Sequence, residues 1–289
     1  MGYKIVVCVK QVPDTENLTG EAMKEDGTVN RTALPAIFNP EDLNALELAL
    51  RIKDEHGGHV TAMTMGLPKA ADVLRECLYR GADEAVLLTD RRMAVADTLA
   101  TSYALSRAVQ TVGDVDLVLC GRQAIDGDTA QIGPQLAEKL GLPQFTYVDE
   151  IREITPDSIT VRRGLEHGYE VLRGPLPALL TVTSNAPEAR PPAARRLMKF
   201  KKARAAAELA RLEGAPEPDE LSARGLLITQ WGVDEIGAEE ESCGAKGSPT
   251  RVKNVDTVQL VSEDRRSVEP TMEGLGALVK ELIEEHIVD

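Results

Sequence analysis

The stretch VDLVLCGRQAIDGDTAQIGPQLAEKLG, residues 115–141, decides how the chain is read. It opens with an apolar run ending at Gly121, as in a strand buried on both faces, and closes with helix-type spacing over 129–141. Small and polar residues lie between. The same cadence recurs upstream. KIVVCV (4–9) reads as a strand. Asn39-Pro40-Glu41-Asp42 opens a helix: Asn39 can cap, Pro40 suits the first turn, and the acids favour that end. Leu43, Leu46, Ala49 and Leu50 form its apolar face and Gly57-Gly58 ends it. HVTAMTMG (59–66) and EAVLLTD (84–90) read as strands, KAADVLRECLYRG (69–81) as a helix, and Asp97 caps another from Thr98 to about Val112. Short apolar strands alternating with helices predict an α/β fold with a doubly wound, mostly parallel sheet covered on both faces.

After Pro143, the segments QFTYVDEI, SITVRRG and YEVLRG predict antiparallel or edge strands, and 177–183 returns as a buried strand. The polar stretch containing Gly20 and Gly27 is expected to be an exposed loop or hairpin. Beyond residue 185 the composition turns proline-rich, then basic. The expected division is an α/β domain over 1–185 and an extended C-terminal arm over 186–289, with EGAPEPDE (213–220) as a linker. A final helix from about 270 to 287 carries Leu275, Leu278, Leu282 and Ile283 on one face, which must dock on its own domain or a partner.

Composition excludes several classes. The net charge of −14 over 289 residues argues against a nucleic-acid surface, which needs clustered Lys and Arg. The basic run 195–202 therefore reads as a solvated stretch or a protein-docking edge. Cys8, Cys77, Cys120 and Cys243 form no CxxC pair, so no metal or iron–sulfur site is expected, and Cys8 and Cys120 read as buried thiols. His56 and His59 flank a turn without a third ligand. No G-x-S-x-G, G-x-G-x-x-G or P-loop occurs. The N-terminus reads as a strand, not a leader, and no apolar run is long enough to cross a bilayer, so no membrane insertion and a cytoplasmic setting are expected.

In open parallel sheets, ligands bind beyond the carboxyl ends of the strands. Four segments meet there: Cys8 to Lys10, Asn39-Pro40, Met65-Gly66, and the loop after Cys120. That loop carries Gly121, Arg122, Gln123, Ala124, Gly127, Asp128, Thr129, Ala130 and Gln131. Gly127, Thr129 and Ala130 would let backbone N–H groups approach a diphosphate, and Arg122 adds charge. The competing reading is an ordinary loop with Asp128 as helix cap. Asp97, Thr98, Thr101 and Ser102 make a second hydroxyl-rich helix start on the same rim, for which capping alone accounts for Asp97 and Thr98.

VVCVKQVPDT (6–15), FNPEDLNALE (38–47), ADTLATS (96–102), GRQAIDGDTAQIGPQ (121–135), and Val161 to Leu172 with Pro177 to Thr181 together resemble the β (small) subunit of electron-transfer flavoproteins over nearly the whole chain. His167 departs from the family signature, at the level of a loop. The resemblance implies a Rossmann-like nucleotide-binding domain and a heterodimer with a larger α subunit that carries an electron-transferring FAD. It also implies nucleotide contacts at Cys8, Asn39, Met65, Cys120 and 121–131. ADTLATS, GRQAIDGDTAQ and Gly247 to Thr250 resemble the electron-bifurcating group, in which the β subunit holds a second FAD; AMP, held structurally, is the alternative found in the ordinary group. That likeness implies a redox carrier subunit taking electrons from NADH to the α-subunit FAD and then to a dehydrogenase of the acyl-CoA dehydrogenase type or a low-potential acceptor. Asp97, Thr98 and Thr101 would face the ribityl or ring of the FAD. The leucine with which the ordinary group docks acyl-CoA dehydrogenases would align near Ala194, which leaves that anchor in question. A small nucleotide-sensing protein of the universal-stress type is the remaining reading, and it leaves the tail after 185 unexplained.

Overall fold

The structure, a computed structural model, describes residues 2–14, 34–212, 214–251, 267–285 and 287–288. The polar stretch with Gly20 and Gly27 lies outside the described residues. Tyr3–Cys8 (β1) takes the middle of the sheet and alternates its side chains between two cores. Ile5 and Val7 join one apolar cluster; Val6 and Cys8 join the other. A short antiparallel pair, Gln11–Pro13 (β2) and Ala36–Phe38 (β3), leads into Pro40–His56 (α1). Gly58–Met65 (β4), Ala71–Arg80 (α2), Glu84–Leu88 (β5), Thr98–Val112 (α3), Leu117–Gly121 (β6) and Ile132–Leu140 (α4) follow in alternation. Gln144–Ile154 (β7), Ser158–Leu165 (β8) and Gly168–Pro175 (β9) precede Ala178–Val182 (β10).

The remainder comprises Ala194–Phe200 (α5), Arg204–Ala205 (β11), Ala206–Leu209 (α6), Pro218–Ala223 (α7), Leu227–Trp231 (β12) and Met272–Glu284 (α8). Among the described residues, ten strands form one sheet in the order β11-β12-β5-β4-β1-β6-β10-β7-β8-β9. It is parallel from β11 to β7, and β8 and β9 continue it antiparallel. Leu46, Leu50 and Leu74 of α1 and α2 cover one face; Leu105 and Leu136 of α3 and α4 cover the other. The doubly wound, mostly parallel sheet is the expected one.

Two expectations need correction. Part of the stretch expected as an extended arm over 186–289 joins the sheet. β12 pairs parallel with β5, Thr229 opposite Val86 and Trp231 opposite Leu88, and Val233, Ile236 and Cys243 are buried beside α3. The cause is the otherwise open edge of β5, whose unpaired backbone groups need a partner strand. α5 carries part of the basic run and packs on α2, where Arg196 donates to the Leu78 and Ala82 carbonyls. α8 buries none of its described residues, and neither does the short 3-10 turn Glu240–Ser242. The second correction concerns the helix expected from 129. It starts at Ile132, because Asp128 and Ala130 take left-handed backbone angles, φ 49° and 51°, that no α-helix admits.

Candidate functional site

From β1 the chain winds one way to β4 and β5, then returns to β6 on the other side of β1. This reversal opens a crevice beyond Cys8 and Gly121, where ligands of such sheets bind. The first turn of α1 fills the floor of that crevice. Asp42 is buried and bridges its two walls: the Lys10 N–H donates to Oδ2 at 2.8 Å and the Gly121 N–H to Oδ1 at 2.9 Å. The Gln123 N–H donates to Glu41 Oε2 at 3.0 Å, and Arg122 Nε lies 3.3 Å from Glu41 Oε1. Asn39 is fully buried but does not cap α1 with its side chain. Its carboxamide accepts the Ile125 N–H at 3.2 Å and donates to the Gln123 carbonyl at 2.9 Å. Above them the Lys10 ammonium pairs with Asp126 at 2.7 Å.

Burial pushes the Asp42 carboxyl up to about 7, and the N–H groups of Gly121 and Lys10 pull it back only part of the way. Gly121 is required by the same contact: a Cβ there would lie 2.5 Å from Asp42 Oδ1. Beyond this clamp the loop rises into the open. Gly127, Asp128 and Thr129 are exposed, and among the described residues the N–H groups of Thr129, Ala130 and Gln131 have no protein acceptor. Asp128 does not cap α4; it accepts from Gln123 Nε2 at 3.0 Å. A Cβ on Gly127 would meet nothing within 4 Å. Left-handed non-glycine residues beside free N–H groups in one loop are a backbone pattern that can receive an anion.

Cys8 and Cys120 are buried toward the α3 side, and burial drives the Cys8 thiol up to about 12 and the Cys120 thiol well up too. Both are neutral packing groups. Met65, half-buried, packs on the same side at the end of β4. The second rim is closer to the first than its sequence separation suggests. Thr98 donates to Gln131 Oε1 at 2.7 Å and Ser102 to Gln135 Oε1 at 2.9 Å, so α3 and α4 are strapped together at their N-terminal ends. Asp97 caps α3 through the Ala100 N–H at 3.1 Å, and its other oxygen accepts from the Thr250 hydroxyl at 2.7 Å. No hydrogen bond engages the Thr101 hydroxyl among the described residues.

A groove of about 410 Å³ lies beside this rim, bordered by Leu99, Tyr103, Lys139, Lys246 and Ser248, and another of about 350 Å³ separates the β2–β3 pair from α2. Residues 121–131 border neither. Among the described residues no three His, Cys, Asp or Glu side chains converge on a point, and no helix is long and apolar enough to cross a membrane. Lys10 falls in the rim segment Cys8 to Lys10 expected from the sequence; Glu41 and Asp42 are the site residues that sequence reasoning missed. Their signal was present in Asn39-Pro40-Glu41-Asp42, but the acids were assigned to the helix dipole alone.

Residues 26–210 match the family described as the electron transfer flavoprotein domain. The chain is similar to the electron transfer flavoprotein subunit beta of Clostridium acetobutylicum, with 42% identity over 286 residues, spanning 98% of this chain and 99% of that protein. It is similar to the caffeyl-CoA reductase-Etf complex subunit CarD of Acetobacterium woodii, 42% identical over 293 residues, 99% of this chain and 100% of that one. It is also similar to protein FixA of Azorhizobium caulinodans, 44% identical over 258 residues, 87% of this chain and 83% of that one.

Proposed function

The chain belongs to the electron transfer flavoprotein family, among its β subunits, and on that premise we propose that it holds FAD along the rim from residues 121–131 to Asp97–Ser102. The observation that carries this reading is the loop at the crevice: its inner half is tied down by Asn39, Glu41 and Asp42, and its outer half presents the unclaimed N–H groups of Thr129 to Gln131. Such N–H groups suit the diphosphate, and Thr98 and Thr101 at the start of the neighbouring helix α3 suit the hydroxyls beyond it. When bound, FAD supplies the chemistry of accepting and passing on electrons. The chain's own residues bind and orient it. With nine aromatics among 289 residues, the ring would lie against aliphatic side chains and a partner subunit.

The full assignment is a cytoplasmic redox carrier subunit, paired with an electron-transfer flavoprotein α subunit, that takes electrons from NADH and passes them to the α-subunit FAD. From there they reach a dehydrogenase of the acyl-CoA dehydrogenase type or a low-potential acceptor. Whole-length similarity to a subunit of a caffeyl-CoA reductase-Etf complex supports a multi-subunit setting. The exposed apolar residues of α8, Met272, Leu275, Val279 and Ile283, support docking on the α subunit.

Structurally held AMP is the second reading, and one observation favours it. The Thr98 hydroxyl already donates to Gln131 and one Asp97 oxygen accepts from Thr250, so both of these side chains are satisfied within the protein. AMP would end at the loop and leave that rim untouched. Quantifying flavin and AMP released from the purified heterodimer separates the two. Two flavins per heterodimer are expected, and Thr98→Val with Thr101→Val should deplete one or shift its potential. One flavin and one AMP would establish the second reading instead.

A further inference from the structure

The acids of α1 stand where a helix N-terminus would ordinarily receive a phosphate. Glu41 and Asp42 occupy the second and third positions of α1 and point their carboxylates across the crevice rather than to solvent. Every acceptor they offer is used. Asp42 takes one N–H from each wall, Glu41 takes the Gln123 N–H and faces Arg122, and Asn39 takes the Ile125 N–H. The bonded N–H groups alternate along the loop: Gly121, Gln123, Ile125. Every second peptide from the end of β6 is thus aimed inward, at α1. With both acids engaged by the loop, the Glu41 carboxylate at the α1 N-terminus disfavours an anion there.

We propose that Asn39, Glu41 and Asp42 are positioning residues that template the nucleotide loop, fixing residues 121–125 against α1 so that the phosphate is received at 129–131 and not at the α1 N-terminus. This inference rests on the nucleotide reading given above. Neither Glu41 nor Asp42 needs to touch the ligand for this. Removing one acceptor leaves a buried N–H without a partner, and the loop rearranges to satisfy it. Asp42→Asn does this with little change of shape, because a carboxamide accepts from one wall and presents its own N–H to the other. Glu41→Ala removes the Gln123 contact, whereas Glu41→Gln keeps an acceptor for it.

The test uses the full-length chain purified with the subunit it pairs with and stripped of nucleotide, into which AMP and FAD are separately titrated by calorimetry. Amide hydrogen exchange and thermal melting are measured on the same samples. Asp42→Asn and Glu41→Ala should each bind at least about tenfold more weakly than wild type. Glu41→Gln should bind within about twofold of it. Exchange should quicken at Gly121 for the first variant and at Gln123 for the second, with cooperative melting retained. Unchanged affinity in Asp42→Asn and Glu41→Ala would overturn the proposal. So would equal losses in Glu41→Ala and Glu41→Gln, a comparison that decides the matter even if Asp42→Asn does not fold. A wild type that binds neither nucleotide overturns the functional reading itself, a failure seen before any variant is made.

Discussion

Asp42 is the residue through which the site and the stability of the fold are joined. Its carboxyl, pushed up to about 7 by burial, lies above the ordinary value of 3.8. The native state therefore holds this proton more tightly than the unfolded chain does. The stability it lends is fully present below about pH 4 and is lost as pH rises through about 7. Relative to Asp42→Asn, wild-type unfolding free energy should fall by up to ~1.4 kcal/mol per pH unit across that window. Urea titrations of both proteins at pH 5 and pH 7.5 measure it, and parallel pH profiles would refute it. Lys10 and the buried thiols Cys8, Cys77 and Cys120 are the titratable neighbours, and the thiols, all pushed up by burial, stay neutral throughout. Two glycines separate fold from binding. Gly121→Ala drives a Cβ to 2.9 Å from the Asp42 backbone nitrogen and should cost ~1–3 kcal/mol of stability. Gly127→Val places its side chain in open space, so the melting temperature should hold while nucleotide content falls. Loss of both together in Gly127→Val would make that loop structural only. None of these consequences was legible in the sequence at Asp42, because its partners at Lys10 and Gly121 lie 32 and 79 residues away.

At the scale of elements, the central strands and helices were legible because each carries its own signal. Asp97 caps α3, Pro40 starts α1 and a left-handed Gly57 ends it, all local rules that need no knowledge of the rest of the chain. The miss was β12. Five residues, Leu227–Trp231, follow a proline- and acid-rich approach, and nothing local says that they pair with β5. Truncation separates the two divisions of the chain. A protein ending at Thr250 should keep a cooperative thermal transition followed by circular dichroism. One ending at Asn185 should lose it, since it gives up Leu226, Ile228, Val233 and Ile236, all buried. At roughly 1.5–3 kcal/mol for each such side chain, their loss rivals the whole stability of a domain of this kind, about 5–15 kcal/mol. Cooperative melting of the shorter chain would support the boundary at 185.

Over the whole molecule, the crevice was legible as a place and not as a mechanism. Strand ends meet at a topological switch point in any sheet of this order, so Cys8, Asn39, Met65 and 121–131 fall on one rim. The clamp beneath that rim joins β1, α1 and β6, and only the folded chain brings these together. The placement of β12 carries a consequence of a different kind, in the order of synthesis. Its partner β5 ends at Leu88, and about 140 residues must be translated before Leu227–Trp231 can reach it. At about 5–20 residues per second that is on the order of ten seconds of nascent life. Through this interval β5 is an apolar strand with an uncovered edge, able to pair with any extended segment nearby. The growing chain, more than the finished protein, is therefore the form exposed to mispairing along this edge.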